Sequence, residues 1–100
     1  MIYNKLVRDK MPEHIRKKGG VPVSHVAEDA EYWQKLKEKL SEEVLEFQKD
    51  ENIEELADIL EVIDAIISCK GFKKEEIEKV KSKKAGERGR FGLKIILEQS

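Results

Sequence analysis

Cysteine occurs once in this sequence of 100 residues, as Cys69. No intramolecular disulfide can form, and a reducing interior is the natural compartment. Long apolar runs are missing as well: nothing approaches the ~20 residues that a membrane-spanning helix needs. The opening MIYNKLVRDK has no apolar h-region, which excludes a secretory signal there. Net charge is almost absent, since 20 Lys and Arg face 21 Asp and Glu. Bulk charge therefore gives no argument for nucleic acid or for a membrane surface. Side-chain amides are few, two Asn and three Gln, a composition with a slight thermophilic lean. The expectation is a soluble, cytoplasmic protein without membrane partners.

What is present is charge of both signs, at 41% of the residues against roughly 25% in an average soluble protein. Hydrophobic residues, at 39%, still suffice for a core, which argues against disorder. A chain of this length is one domain, 1–100, near the lower limit for a self-sufficient core. Pairing with copies of itself is the expected remedy, as a homo-dimer or homo-tetramer.

The periodicity predicts an all-α fold. Pro12 suits the first turn of a short helix, which the basic Arg16, Lys17 and Lys18 and then Gly19 and Gly20 bring to an end. VPVSHV at 21–26 reads as extended chain or loop. An amphipathic helix is expected from about Asp29 to Lys49 and a second from the Asn52 cap to about Cys69, ending at Gly71. A third is expected from Lys73 to about Lys84, stopping before Gly86, Gly89 and Gly92. GRFGLKIIL at 89–97 could close the chain as a turn with a short strand or helix. The architecture expected is a small bundle around an antiparallel helical hairpin, completed by oligomerisation.

Two acidic pairs at the same spacing interrupt this hairpin: Glu43 with Glu46, and Glu55 with Asp58. About four pairs three apart are expected by chance from such a composition, so placement is the better test. Advancing ~100° per residue from Tyr32, the residues Leu36, Phe47, Leu40, Trp33 and Val44 span about 40° to 120°. Glu43 falls at about 20°, beside Leu36, with Glu46 one turn on at the margin. On the second helix, counted from Ile53, the residues from Val62 through Ile66, Ile59, Ile63, Leu56 and Ile67 to Leu60 cover about 180° to 340°. Glu55 falls at about 200°, and Asp58 at the edge near 140°. Each helix thus carries one acid within its apolar stripe and one beside it.

An uncompensated buried carboxylate costs several kcal/mol or takes up a proton, so four that converge need cations. Mg²⁺ is the expected one: it prefers carboxylate oxygens and is commonly completed by substrate phosphates. Acids at i and i+3 share a helical face, so two pairs on antiparallel neighbours can form a cup. No His or Cys accompanies them, which disfavours zinc and di-iron. Two plainer readings stand beside this one. Glu55 could be the capping-box partner of Asn52, and Glu43 could pair with Lys39 one turn back. Glu61 lies at the stripe's edge, as a further ligand, a residue orienting water, or a solvated acid. Asp64 lies deeper and has no assigned role.

The segment KSKKAGERGR, 81–90, sets Lys81, Lys83, Lys84, Arg88 and Arg90 against one acid, which suits a phosphate cradle or equally a solvated tail. Lys5, Arg8 and Lys10 form a second basic cluster, and neither cluster matches a Walker loop. Tyr32 and Trp33 read as core, and His14 and His25 have no partner at catalytic spacing.

With these residues in hand, the sequence resembles the MazG-like nucleotide pyrophosphohydrolases. These are relatives of the phosphoribosyl-ATP pyrophosphohydrolases in the all-α NTP pyrophosphatase group. The family signature E-x-x-E followed by E-x-x-D corresponds to EEVLE (Glu42 to Glu46) and EELAD (Glu54 to Asp58). The opening YNKLVRDKMPE resembles one branch of the family, and KKAGERGRF resembles its tail motif. The tail departs from the pattern: RGGF is expected where Arg88, Gly89, Arg90 and Phe91 stand, and an arginine is expected nearer Lys94.

The resemblance implies Mg²⁺ held by Glu43, Glu46, Glu55 and Asp58, with Lys83 and Arg88 near the triphosphate; Lys39 is a further candidate for nucleotide contact. The implied reaction cleaves a nucleoside triphosphate between the α and β phosphates, giving monophosphate and pyrophosphate. Glu43, Glu46 or Glu61 would take the proton of the attacking water. Two alternatives are a phosphoribosyl-ATP pyrophosphohydrolase of histidine synthesis and a non-catalytic helical dimer that binds a partner or nucleic acid through the basic tail.

Overall fold

The computed structural model describes residues 4–100; Tyr3, at the head of the YNKLVRDKMPE segment, lies outside them. The chain is all-helical: α1 (Met11–Lys17), α2 (Asp29–Lys49), α3 (Ile53–Lys70) and α4 (Lys74–Arg88). No helix is long and apolar enough to cross a membrane among the described residues.

Local chemistry accounts for the helix ends. Pro12 sits in the first turn of α1, where its missing N–H costs no hydrogen bond. Asn52 caps α3: its side-chain oxygen accepts from the Glu55 backbone N–H at 2.9 Å. At the far end Gly71 takes a left-handed conformation, φ +69°. The Phe72 N–H donates to the Ile67 carbonyl and the Gly71 N–H to the Ser68 carbonyl, at 3.1 and 3.2 Å. That crossed pair satisfies carbonyls that the helix end would otherwise orphan.

Only Asp50, Glu51 and Asn52 separate α2 from α3, so the two helices fold back as an antiparallel hairpin and pack along their length. Leu36 on α2 is fully buried, and Val62 on α3 is buried as well. The apolar stripe of α3 is split by this packing. Val62 is buried and Ile59 and Ile66 are half-buried. Leu56, Leu60 and Ile63, further round the same stripe, remain 46%, 56% and 38% exposed. The stripe is wider than the face that α2 buries.

Two expectations are corrected. α4 runs through Gly86 to Arg88, one turn beyond the expected stop near Lys84. A helical glycine costs only about 1 kcal/mol, which the flanking Ala85 and Glu87 tolerate. The tail at 89–97 forms a turn around Phe91–Lys94 and then neither strand nor helix. Its β-prone LKIIL has no neighbouring strand to pair with, and an isolated strand is not stable. Among the described residues α4 packs along neither α2 nor α3, so the hairpin is not closed into a bundle by this chain alone. The radius of gyration, 17.9 Å, exceeds the roughly 13 Å of a compact 100-residue domain.

Candidate metal centre

Glu43 is one of three buried residues among those described, the others being Leu36 and Val62. A carboxylate in so small a core needs compensation, and α3 brings more acids to it. One oxygen each from Glu43, Glu55 and Asp58 lies within 4.8 Å of the others. A second trio, Glu46, Asp50 and Glu55, meets the same condition. Glu55 belongs to both. All four expected ligands fall in these two adjoining trios, which share Glu55, and Asp50 joins them in the second.

Helix geometry explains the sharing. Glu43 and Glu46 are three residues apart on α2, as are Glu55 and Asp58 on α3, so each pair shares a face. The hairpin sets Glu55 between the two α2 acids. Asp50 follows Glu46 by four residues at the C-terminal end of α2, a spacing that could have marked it in the sequence. The capping-box alternative for Glu55 is only half met. Asn52 caps Glu55, but its own backbone N–H donates to the Asp50 carbonyl at 2.7 Å, and the Glu55 carboxylate joins the acids.

Cations flank the first trio at Glu43 and Asp58. Lys39 Nζ lies 3.1 Å from Glu43 Oε1 and 3.6 Å from Glu42 Oε1, so the expected Lys39–Glu43 pair exists together with the acidic cluster. Lys5 donates to Glu42 at 3.1 Å. Arg8 donates through Nη2 to Asp58 Oδ1 at 2.8 Å and places Nη1 3.9 Å from Glu61 Oε1. Glu61 thus sits at the edge, outside both trios. Lys83 and Arg88 are carried by α4; Lys83 pairs with Glu87 at 3.9 Å, and this chain does not bring either residue to the acids. Asp64, which had no role in the sequence, pairs with Lys74 at 3.7 Å where α4 begins. Trp33 is half-buried under Lys70, whose Nζ stands 3.9 Å from the ring centroid.

The electrostatics follow from this arrangement. Partial burial, then the charges of Asp58, Glu46, Glu43 and Asp50, push the Glu55 carboxyl above its ordinary range. Glu42 goes the other way: burial raises it, but the Lys5 hydrogen bond and the charges of Lys39 and Lys5 more than offset that. A raised carboxyl binds its proton more tightly in the folded chain than in the unfolded one. Its cost to stability is therefore present above the folded pKa and relieved as pH falls through it. In chelator, Glu55→Gln is expected to raise the melting temperature at pH 7.5, with the difference from wild type shrinking towards pH 4. An unchanged or lowered melting temperature at pH 7.5 would mean that the acids do not repel one another there.

The donor set fits Mg²⁺. All donors are carboxylate oxygens, and octahedral coordination at about 2.1 Å sets ligand oxygens about 3 to 4.2 Å apart. The trio's oxygens, all within 4.8 Å of one another, are spaced on that scale.

No known protein-family profile matches the chain, and no solved structure does. An uncharacterised protein of Mycolicibacterium smegmatis (strain ATCC 700084 / mc(2)155) is 54% identical over 41 residues. That stretch is 41% of this chain and 42% of the relative, so the match spans less than half of either protein.

Proposed function

We propose that the chain is a Mg²⁺-dependent nucleoside triphosphate pyrophosphohydrolase of the MazG-like kind. It would cleave the α–β phosphoanhydride to give a monophosphate and pyrophosphate, in the service of nucleotide-pool cleansing. The observation that carries this reading is the convergence of buried Glu43 with Glu55 and Asp58 across the hairpin.

Glu43, Glu55 and Asp58 would hold the metal, with Glu46 in the adjoining trio. Bound Mg²⁺ supplies Lewis-acid polarisation of phosphate oxygens and neutralises their developing charge. The protein's own part is to position and to move a proton. Glu46 is exposed and one helical turn from Glu43, and accepts the proton of the attacking water; Glu61, beside Arg8, is the other carboxylate placed to do so. Lys39, the least exposed lysine in these ion pairs, stands 3.1 Å from Glu43 and flanks the metal-binding acids.

The working unit in this reading is a homo-oligomer. A second copy covers Leu56, Leu60 and Ile63 and replaces the bundle that α4 does not complete. The same association offers a route by which Lys83 and Arg88 of one copy serve the acids of another.

The test is a panel of canonical and modified nucleoside triphosphates, incubated with and without Mg²⁺, with products resolved by chromatography. Monophosphate and pyrophosphate, formed only with metal, are expected. Diphosphate with orthophosphate would discard the α–β cleavage, and turnover of phosphoribosyl-ATP alone would move the protein to histidine synthesis.

A further inference from the structure

Arg8 reaches the acids from outside the hairpin. Its partner Asp58 is 50 residues away in sequence. Lys5, three residues before it, is seated on Glu42 of α2, while Arg8 is seated on Asp58 of α3. Leu6 lies half-buried between these two contacts, in a segment that lines a cleft with Lys35, Lys39 and Glu42. The segment ahead of α1 therefore straddles both helices and holds one guanidinium against a carboxylate of the proposed metal centre.

We infer that Arg8 is a phosphate-contacting residue of the site, held on Asp58 until a divalent cation takes that carboxylate and then transferred to the substrate's phosphate oxygens. The inference rests on the metal reading of Glu43, Glu55 and Asp58. Charge is the first argument. Three carboxylates and one divalent ion still leave net negative charge, and a triphosphate adds more, so the site needs further cations. Lys39 is already committed to Glu42 and Glu43, and Lys83 and Arg88 lie on α4, which packs along neither hairpin helix. Exposure is the second. The Arg8 side chain is 59% exposed, and an ion pair so open to water exchanges partners at little cost. Geometry is the third, because a guanidinium presents paired donors that match phosphate oxygens as well as a carboxylate.

The experiment uses the full chain with Mn²⁺ as the metal probe, followed by electron paramagnetic resonance, and a non-hydrolysable α,β-methylene nucleoside triphosphate. Arg8→Ala removes a competitor for Asp58, so Mn²⁺ alone is expected to bind about two- to fivefold more tightly. The same variant is expected to lose roughly 10- to 100-fold in analogue affinity with Mn²⁺ present. Arg8→Lys, which keeps the charge without the fork, is expected to recover part of that loss. Analogue affinity equal to wild type in Arg8→Ala would overturn the inference, leaving Arg8 a tether whose loss moves only the melting temperature. Weaker Mn²⁺ binding in Arg8→Ala would also overturn it, since Arg8 would then support the metal site instead of competing for it. Wild type that binds no Mn²⁺ would overturn the metal reading itself.

Discussion

Glu43→Gln and Asp58→Asn are each expected to reduce metal-dependent turnover by about 10³-fold or more while leaving the helical content unchanged. Both substitutions keep the size of the side chain and remove one anionic ligand. Glu43 is buried against Lys39 and α3, so its amide still fills the same space. Asp58 is half-exposed and held by Arg8, so its loss strains nothing in the core. The two variants also make a prediction that needs no substrate. A ligand that binds only the folded chain raises its melting temperature in proportion to the logarithm of its concentration. Millimolar Mg²⁺ is expected to do so for wild type and not for either variant. Full turnover in both variants, or the same Mg²⁺-induced rise in all three proteins, would remove the acids from the metal site.

The second large effect concerns the uncovered half of α3. Leu56 and Leu60 are one turn apart on α3 and remain 46% and 56% exposed. Replacing both with Asp would bury two unpaired charges in any interface formed there, at a cost of several kcal/mol. In sedimentation equilibrium, wild type is expected at a multiple of the 11.6 kDa chain mass and the double variant at a single chain mass. Since about 1 kcal/mol moves the midpoint of a domain this size by roughly 4–8 °C, the double variant is expected to melt more than about 10 °C lower. Wild type sedimenting as one chain would sink the proposal. The hairpin would then be stable with its apolar face in water, against the low burial of the isolated chain.

Much of the helical framework was legible in the residues. The 3.6-residue period marked α2 and α3, Asn52 marked the start of α3, and Gly71 its end, because each is a local consequence of backbone hydrogen bonding. The same arithmetic placed Glu43 and Glu55 within apolar stripes, and Glu43 is indeed buried. Where local preference is weak the reading failed. The cost of Gly86 was too small to stop α4, and LKIIL could not become a strand without a neighbour.

Residue spacing thus settled which acids share a face on each helix, and by the same token which residues could form the core. It did not contain the register between the helices. That depends on the three-residue connection and on the packing of α2 against α3, which buries Leu36 and Val62, so the division of the acids into two trios sharing Glu55, and the entry of Asp50, appear only once the hairpin has closed. Arg8 is the extreme case: two residues 50 apart carry no periodic signal that they will meet. The split of the α3 stripe is likewise a tertiary result. Helix period makes a face apolar, but only packing decides which half of that face finds a neighbour within its own chain.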